Sequence, residues 1–277
     1  MFTSLKGGVG KTTAASAIAF ALAFFGKRVL CVDLDFGVRG HIFVQKRLQG
    51  THRQLLGGAE CHRLLALGAE NNCSADALEV ITEGYDPASE AVEVQENLWF
   101  LPAPALFNTR EVSEVTATQI SRFLSRCRAS YDFTILDLPA GGGELFLPLA
   151  KNREMDSAVV VTTAESAALR AAEQTGFELR AAGVQDISLI INRLDVSARR
   201  SNKSLFDMAK DAAIGVVGVV PEDALVSNAY DAGVALTRLP VSDASQAYWN
   251  IAARLTGVRV PLFEGILKGK KRRRYSK

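Results

Sequence analysis

The ten residues "SLKGGVGKTT", residues 4–13, decide how this chain folds. They contain three glycines, whose backbone can bend through positive φ and turn its N–H groups toward an anion. Lys11 adds a positive charge, and the hydroxyl of Thr12 is suited to Mg²⁺. The preceding "MFTS" is compatible with a short strand, and the apolar segment from Lys11 to Phe25 with a helix whose positive end faces the loop. The stretch therefore predicts a phosphate-binding loop between a strand and a helix.

A second lysine, Lys6, precedes Lys11 by five residues. The strict pattern G-x-x-x-x-G-K-[ST] is not met, because Leu5 stands where its first glycine belongs. The eight residues KGGVGKTT resemble instead the deviant Walker A motif of the MinD/ParA class of P-loop ATPases. The alternatives are a flexible glycine-rich turn, which the flanking strand and helix disfavour, and a secretory signal, which does not need a glycine cradle.

The resemblance implies that the chain binds ATP with Mg²⁺, and that Lys6 is the signature lysine of the class, which reaches across a dimer interface to the partner's phosphates. It implies catalytic roles for Lys6, Lys11 and Asp35. The loop residues expected to bind the nucleotide are Lys6, Gly7, Gly8, Val9, Gly10, Lys11, Thr12 and Thr13.

Two acidic residues, Asp33 and Asp35, end the apolar run "RVLCVDLD" and lie two positions apart, so both can lie on one face of an extended segment. Two carboxylates beside a phosphate site are useful for binding a metal or orienting a water molecule. By the resemblance, Asp35 positions the attacking water and Asp33 lies near the Mg²⁺ ligands. A solvated loop with two acids is the alternative.

A third acidic residue, Asp137, ends the apolar run in "FTILDLPAGGG". An acid there can accept a hydrogen bond from Thr12 or hold a water bound to Mg²⁺, which is the Walker B role. Residues 139–141 match the loop of the class that senses the γ-phosphate. An aspartate after a strand is often only a turn residue, and it is the phosphate loop together with the other two acids that favours function here. Thr12, Asp33 and Asp137 are therefore the predicted metal residues.

The residues expected around the base and ribose come from the second half of the chain. An amide can donate to and accept from an adenine edge, and Asn192 ends the run "ISLIINR". The resemblance adds Pro221 and Asp223 to the base site, and it implies that Glu165 lies near the partner's ribose. Asn192 could instead cap a strand end, and Glu165 could be a helix N-terminal acid favoured by the helix dipole.

Six short apolar runs and two helix-length segments, residues 113–130 and 166–182, alternate along the chain. Gly183 is placed as the stop signal of the second segment. This alternation predicts a single-domain α/β P-loop NTPase with a mostly parallel, twisted sheet and helices on both faces, and ligands at the carboxyl ends of the strands. The predicted ATPase domain is residues 1–257, and residues 258–277 form a basic amphipathic tail. Residues 44–95 carry the weakest pattern.

Composition is that of an ordinary soluble protein, with 48% hydrophobic and 22% charged residues in 277. No apolar run reaches the roughly 18 residues that a spanning helix needs. The four cysteines are isolated and form no C-x-x-C, so a disulfide framework, a zinc site or an iron–sulfur site is not expected. A reducing cytoplasm fits this pattern.

The carboxyl end carries seven basic residues from Lys268 onward and no acidic one. Subtracting these charges from the net charge of +2 leaves −5 for the rest of the chain. If Pro261 lies in a first helical turn, the apolar residues that follow share one face of a short helix. Basic residues form the carboxyl end of that helix. The predicted membrane-binding residues are Leu262, Phe263, Ile266, Leu267, Lys268, Lys270 and Lys271. A tail that binds nucleic acid or a protein, or that only solubilises, is the alternative.

The resemblance, which is closest to MinD within the class, implies a Mg²⁺-dependent ATPase that forms a homodimer on ATP and acts in division-site selection. It is expected in the cytoplasm and peripherally on the inner face of the cell membrane, bound to anionic lipid through its tail. MinC-like or MinE-like proteins are possible partners, and DNA is less favoured. The alternatives are a ParA-type partition ATPase that binds DNA non-specifically, a FlhG-like regulator of flagellar number, and a scaffold that binds nucleotide without turnover.

Overall fold

The computed structural model describes residues 1–36, 74–104, 109–195, 204–226 and 242–266. The strands are β1 (Phe2–Ser4), β2 (Val29–Asp33), β3 (Val92–Gln95), β4 (Leu98–Leu101), β5 (Phe133–Ala140), β6 (Ser157–Thr162), β7 (Asp186–Leu194) and β8 (Gly215–Pro221). The helices with described bounds are α1 (Lys11–Phe24), α2 (Ala77–Glu83), α3 (Pro87–Glu90), α4 (Thr109–Ser113), α5 (Ala117–Ser130), α6 (Phe146–Ala150), α7 (Ser166–Ala182), α8 (Leu205–Ala212) and α9 (Asp243–Leu255).

The strands form one eight-stranded sheet in the order β3-β4-β2-β5-β1-β6-β7-β8. Every pair is parallel except β3 with β4. Because right-handed crossovers run in opposite directions from β1 to β2 and from β6 to β7, α1 and α7 cover opposite faces of the sheet. The sheet is therefore buried on both faces, as the continuous apolar runs predicted.

The six predicted strands and both long helices are confirmed. Helix α1 begins at Lys11, and every residue from Ala14 to Ala23 is buried, which is expected of a helix that is apolar all round. Helix α7 spans Ser166–Ala182, and Gly183 caps it with a left-handed φ of 102°. In the first segment, residues 113–130, helix α5 begins at Ala117, because Thr116 caps it in a capping box with Gln119.

The edge strand β3 was not predicted from the sequence. It has four residues, none of them fully buried, and it pairs antiparallel with β4 through a turn in which Asn97 has a φ of 65°. Such a short, half-exposed strand has too few apolar residues for the alternation of apolar and polar positions that indicates a strand. It lies at the far end of the sheet from the phosphate loop.

In its described part, the segment after Pro261 does not form the amphipathic helix expected on a membrane. Residues 262–265 form turns, with Gly265 at a φ of 70°, and Phe263 and Ile266 are only 6% and 2% exposed. Both side chains belong to the hydrophobic core. The packed domain therefore continues to Ile266, because burial in the core removes these apolar side chains from water.

Hydrogen bonds hold this carboxyl-terminal segment against α9. The Asn250 amide donates to the carbonyl of Glu264 over 2.6 Å. The guanidinium of Arg254 donates to the carbonyls of Val260 and Pro261 over 2.9 and 2.6 Å. Leu262 is half-buried against the core. The remaining predicted membrane residues, Leu267, Lys268, Lys270 and Lys271, lie outside the described residues.

Two further expectations concern membrane-spanning helices and the cysteines. In the described ranges, no helix combines the length and apolar character needed to cross a membrane. Cys31 and Cys127 are buried free thiols, and burial raises the pKa of Cys127 to about 12. Cys61 and Cys73 fall outside those ranges.

Candidate functional site

A cleft of about 380 Å³ opens at the carboxyl ends of the strands, beside the amino-terminal end of α1. Eleven of the predicted site residues line it: Gly7, Gly8, Val9, Gly10, Lys11, Thr12, Thr13, Asp35, Asn192, Pro221 and Asp223. The loop after β1 thus faces the ends of β2, β7 and β8. A ligand site at this edge is what the topology predicts.

The phosphate loop has the geometry of an anion cradle. Gly8 and Gly10 have φ values of 74° and 84°, in the left-handed region that side chains disfavour. Gly10 caps α1, no acidic side chain lies in the first turn, and the free amides of that turn begin at Lys11. A Cβ atom at Gly10 would lie 2.2 Å from Nδ2 of Asn192, so this position also needs glycine for space.

Lys11 forms a buried ion pair with Asp137. Its Nζ lies 2.6 Å from Oδ1 of Asp137, and the two side chains are 7% and 1% exposed. The same Nζ lies 3.4 Å from the hydroxyl of Thr12. Lys11, Thr12 and Asp137, the acid predicted for the Walker B role, therefore meet at one point, although Asp137 is distant in sequence.

The second oxygen of Asp137, Oδ2, is buried and has no hydrogen-bond partner among the described residues. A buried carboxylate oxygen without a partner is costly unless a ligand, ion or water completes it. No group of three or more His, Cys, Asp and Glu side chains in the described ranges could hold a metal. The residues instead fit Mg²⁺, which keeps several waters and takes one or two carboxylates together with substrate phosphates. Asp137 and Thr12 are positioned to serve it.

Asp33 lies directly opposite Asp137 on the neighbouring strand, as a register pair of β2 and β5. It is 1% exposed, and burial, then the charge of Asp137, raise its pKa to about 8. Its Oδ1 accepts a hydrogen bond of 2.9 Å from the backbone N–H of Asp35. Asp33 therefore lies behind the cleft, whereas Asp35 lies on its wall, so the two acids do not share one face of an extended segment.

Asn192 contacts the phosphate loop. Its amide nitrogen donates to the carbonyl of Val9 over 2.9 Å, and its oxygen accepts a 3.4 Å hydrogen bond from the hydroxyl of Tyr248. Both ends of the amide are thus engaged, and Asn192 is 3% exposed. In this structure Asn192 supports the loop, and its role in base binding stays a prediction.

The next residue, Arg193, was missed in the sequence although it adjoins Asn192. It adopts a φ of 52°, which a non-glycine residue rarely does, and it lines the cleft. Its guanidinium lies 3.4 Å from the carbonyl of Gly8 and 3.3 Å from a carboxylate oxygen of Glu222. Tyr248 was also missed, because nothing near it in the sequence indicates that α9 brings it to the loop.

Lys6 lies outside the cleft and is ion-paired with Glu165. The side chains are 42% and 67% exposed, and the hydrogen bond and charge of Lys6 lower the pKa of Glu165. Glu165 occupies the N-cap position of α7, yet its side chain makes no capping hydrogen bond. The two residues that the family resemblance assigns to the partner subunit's nucleotide thus pair with each other within one chain.

Comparison with known proteins agrees with this geometry. Residues 1–236 match the model of the CobQ/CobB/MinD/ParA nucleotide-binding domain. The chain is 30% identical over 267 residues to the septum site-determining protein MinD of a Synechocystis species, covering 95% of this chain and 90% of that one.

Solved structures share the fold. The MinD cell division protein of Aquifex aeolicus superposes with a TM-score of 0.75 at 24% identity, covering 94% of this chain and 97% of that one. The septum site-determining protein MinD of Pyrococcus horikoshii, complexed with Mg-ADP, has a TM-score of 0.68 at 22% identity, covering 91% and 93%. These structures share the single mostly parallel sheet, which confirms the fold class.

Proposed function

Because this chain belongs to the CobQ/CobB/MinD/ParA family of nucleotide-binding domains and is MinD-like within it, we propose that it is an ATP-driven switch. It binds Mg·ATP, forms a homodimer in that state, and separates after hydrolysis. The observation that carries the proposal is the placement of two lysines on one glycine loop. Lys11 points inward to a buried acid, and Lys6 points outward to an exposed one.

Phosphate binding follows from the loop's own groups. The first-turn amides of α1 and the Lys11 ammonium supply positive charge to the β- and γ-phosphates. Lys11 then exchanges its Asp137 contact for a phosphate contact, which leaves Asp137 and Thr12 available to Mg²⁺. When bound, Mg²⁺ neutralises charge on the phosphate oxygens.

Hydrolysis needs a water held in line with the γ-phosphate, and Asp35 is the residue for that task. It lies on the cleft wall, and its backbone N–H is tied to Asp33, which fixes the start of its loop. Phosphoryl transfer requires positioning and charge stabilisation more than covalent chemistry. One carboxylate that orients the attacking water is therefore sufficient.

Dimerisation uses Lys6. Its side chain is exposed and its partner, Glu165, lies on another element at the same surface. An exposed ion pair contributes little to stability, so the exchange of Glu165 for a phosphate of the second subunit is favourable. Lys6 thereby links the ATP-bound state to association.

Partner and location follow from the MinD likeness and from the tail. In the proposed cycle the ATP dimer binds the inner face of the cell membrane and acts with a MinC-like or MinE-like protein in division-site selection. Seven basic residues from Lys268 onward attract anionic lipid, each by about 1 kcal/mol. Two tails on one dimer act together, so ATP controls binding without contacting the tail.

The second candidate is a ParA-type ATPase that uses the same basic residues on DNA. The burial of Phe263 and Ile266 favours it, because the tail loses two apolar residues that only a bilayer would need. Sedimentation with anionic vesicles, run beside a DNA-binding assay with Mg·ATP, separates the two. Preference for DNA over lipid would replace the membrane part of the proposal.

The switch itself is tested by separating the two lysines. Lys11→Ala should lose nucleotide binding, whereas Lys6→Ala should bind ATP and fail to dimerise or hydrolyse it. Labelled ATP titration and mass in solution measure both. The control is Lys151→Ala, which removes another exposed lysine that lies outside the cleft and which should still dimerise. Normal dimerisation by Lys6→Ala would remove the role of Lys6 in the partner's site.

A further inference from the structure

Three aromatic side chains form an exposed cluster at the end of α1. Phe24 is 75% exposed and Phe25 is 41% exposed. Both rings contact Trp249 of α9 edge-on, with centroid distances of 4.8 and 5.4 Å. An aromatic as exposed as Phe24 is unfavourable in water unless a partner covers it, and this one adjoins two others. We call these three residues the aromatic cluster.

The last described residues before the basic tail pack on α9, the helix that carries Trp249. The described chain ends at Ile266, after Glu264 has bonded to Asn250 and with Gly265 lying against Gln246. Gln246 and Asn250 lie one turn apart on α9, and Trp249 lies within a turn of both. The described chain thus ends on α9, the helix that carries Trp249, and in the sequence the seven basic residues begin two positions after Ile266.

The charge beside the cluster has the sign that an anionic surface attracts. Lys27 and Arg28 follow Phe25 in the chain after one glycine, Gly26. Arg28 forms an ion pair of 3.0 Å with Asp132, so its charge is largely neutralised. The tail adds seven basic residues and contains no acidic one. Aromatic rings flanked by lysine and arginine are the side chains that settle at the boundary between lipid headgroups and acyl chains.

We propose that Phe24, Phe25 and Trp249 form a lipid-contact surface, which enters the headgroup region of an anionic membrane to which the basic tail also binds. This inference rests on the proposed membrane function and names the apolar residues that serve it. Basic residues alone give weak, reversible attachment, and stable attachment takes a second, apolar signal. The buried Phe263 and Ile266 do not supply that signal, and the cluster does.

Trp249 reports on the contact directly. The chain has two tryptophans, Trp99 and Trp249. Trp99 is half-buried beside Tyr131, at a centroid distance of 5.5 Å, so Trp99→Phe is a mild change that leaves Trp249 as the sole tryptophan. Vesicles of phosphatidylglycerol and brominated phosphatidylcholine quench only a tryptophan that reaches the acyl chains. We expect quenching with Mg·ATP, and little with Mg·ADP or with vesicles of phosphatidylcholine alone.

The binding experiment uses a matched pair of variants. Phe24→Ser should weaken sedimentation with anionic vesicles on the order of tenfold, the value of burying one large apolar side chain. Phe206→Ser removes a phenylalanine of similar exposure, 70%, from α8 and should bind vesicles as the parent does. Neither residue lies in the nucleotide cleft, so ATP hydrolysis and dimerisation in solution should be unchanged in both.

The outcomes separate the inference from the function it rests on. If the parent sediments with Mg·ATP but Trp249 is not quenched and Phe24→Ser binds normally, the aromatic cluster is not the lipid contact, and the proposed membrane function stands. If the parent does not sediment with anionic vesicles at all, both are overturned. Equal weakening in Phe206→Ser would show a general loss of hydrophobic surface and would also overturn the assignment of this cluster.

Discussion

At the scale of single residues, the Lys11–Asp137 ion pair holds the glycine loop against β5. Both side chains are buried, and one oxygen of Asp137 has no partner among the described residues. Two charges removed from water are tolerable only while they face each other. The loss of Lys11 therefore leaves a buried acid alone, in addition to removing the proposed phosphate contact.

This coupling predicts an effect on stability without nucleotide. Lys11→Ala should lower the free energy of unfolding by about 3 kcal/mol, the typical cost of an orphaned buried charge. The double variant Lys11→Met, Asp137→Leu should regain most of that loss and still bind no ATP. Urea unfolding of the parent and both variants without nucleotide measures these free energies. A single variant as stable as the parent would mean that the pair contributes nothing to the fold.

The raised pKa of Asp33 predicts a pH dependence. Its folded pKa of about 8 lies above the ordinary value of 3.8, so the folded state binds more protons between these values. Stability from this group is therefore greatest below about pH 4 and falls as pH rises toward 8. Comparison of Asp33→Asn with the parent across that range should show a flatter dependence in the variant. Parallel curves would show that Asp33 ionises normally.

At the scale of elements, the segment after α9 is part of the core and not a free tail. Phe263→Ala should therefore cost about 3 kcal/mol, as for other buried phenylalanines. Val258→Ala is the control, because Val258 precedes the same packed stretch and is 56% exposed, so its loss should cost under about 0.5 kcal/mol. The midpoint of urea unfolding measures both. If Phe263→Ala unfolds at the midpoint of the parent, this segment is not docked on α9.

At the scale of the whole molecule, the predictable features were those with local causes. Helix α7 has its predicted bounds because Gly183 ends it, and α1 starts where the glycine loop places it. The Lys11–Asp137 pair and the Tyr248–Asn192 contact join positions 126 and 56 apart in sequence. Local pattern carries no information on such pairings, which depend on the order of strands in the sheet.

At the carboxyl end, a local pattern was present but did not show where its apolar residues would pack. Helical spacing placed Phe263 and Ile266 on one apolar face, but spacing does not show which surface that face meets. The core accepted them, because α9 offers Asn250 and Arg254 to the backbone of the segment. A short amphipathic pattern is equally suited to a bilayer and to the side of a domain.

The central claim is that ATP assembles two chains through Lys6. The most direct test is the mass in solution of the Asp35→Ala variant, which should turn over about 10²–10⁴ times more slowly and so hold its ATP. With Mg·ATP this variant should have about twice the monomer mass of 29.8 kDa, and with Mg·ADP the monomer mass. Adding Lys6→Ala to it should restore the monomer while ATP stays bound. A monomer with saturating Mg·ATP, or a dimer that persists without Lys6, would contradict the account.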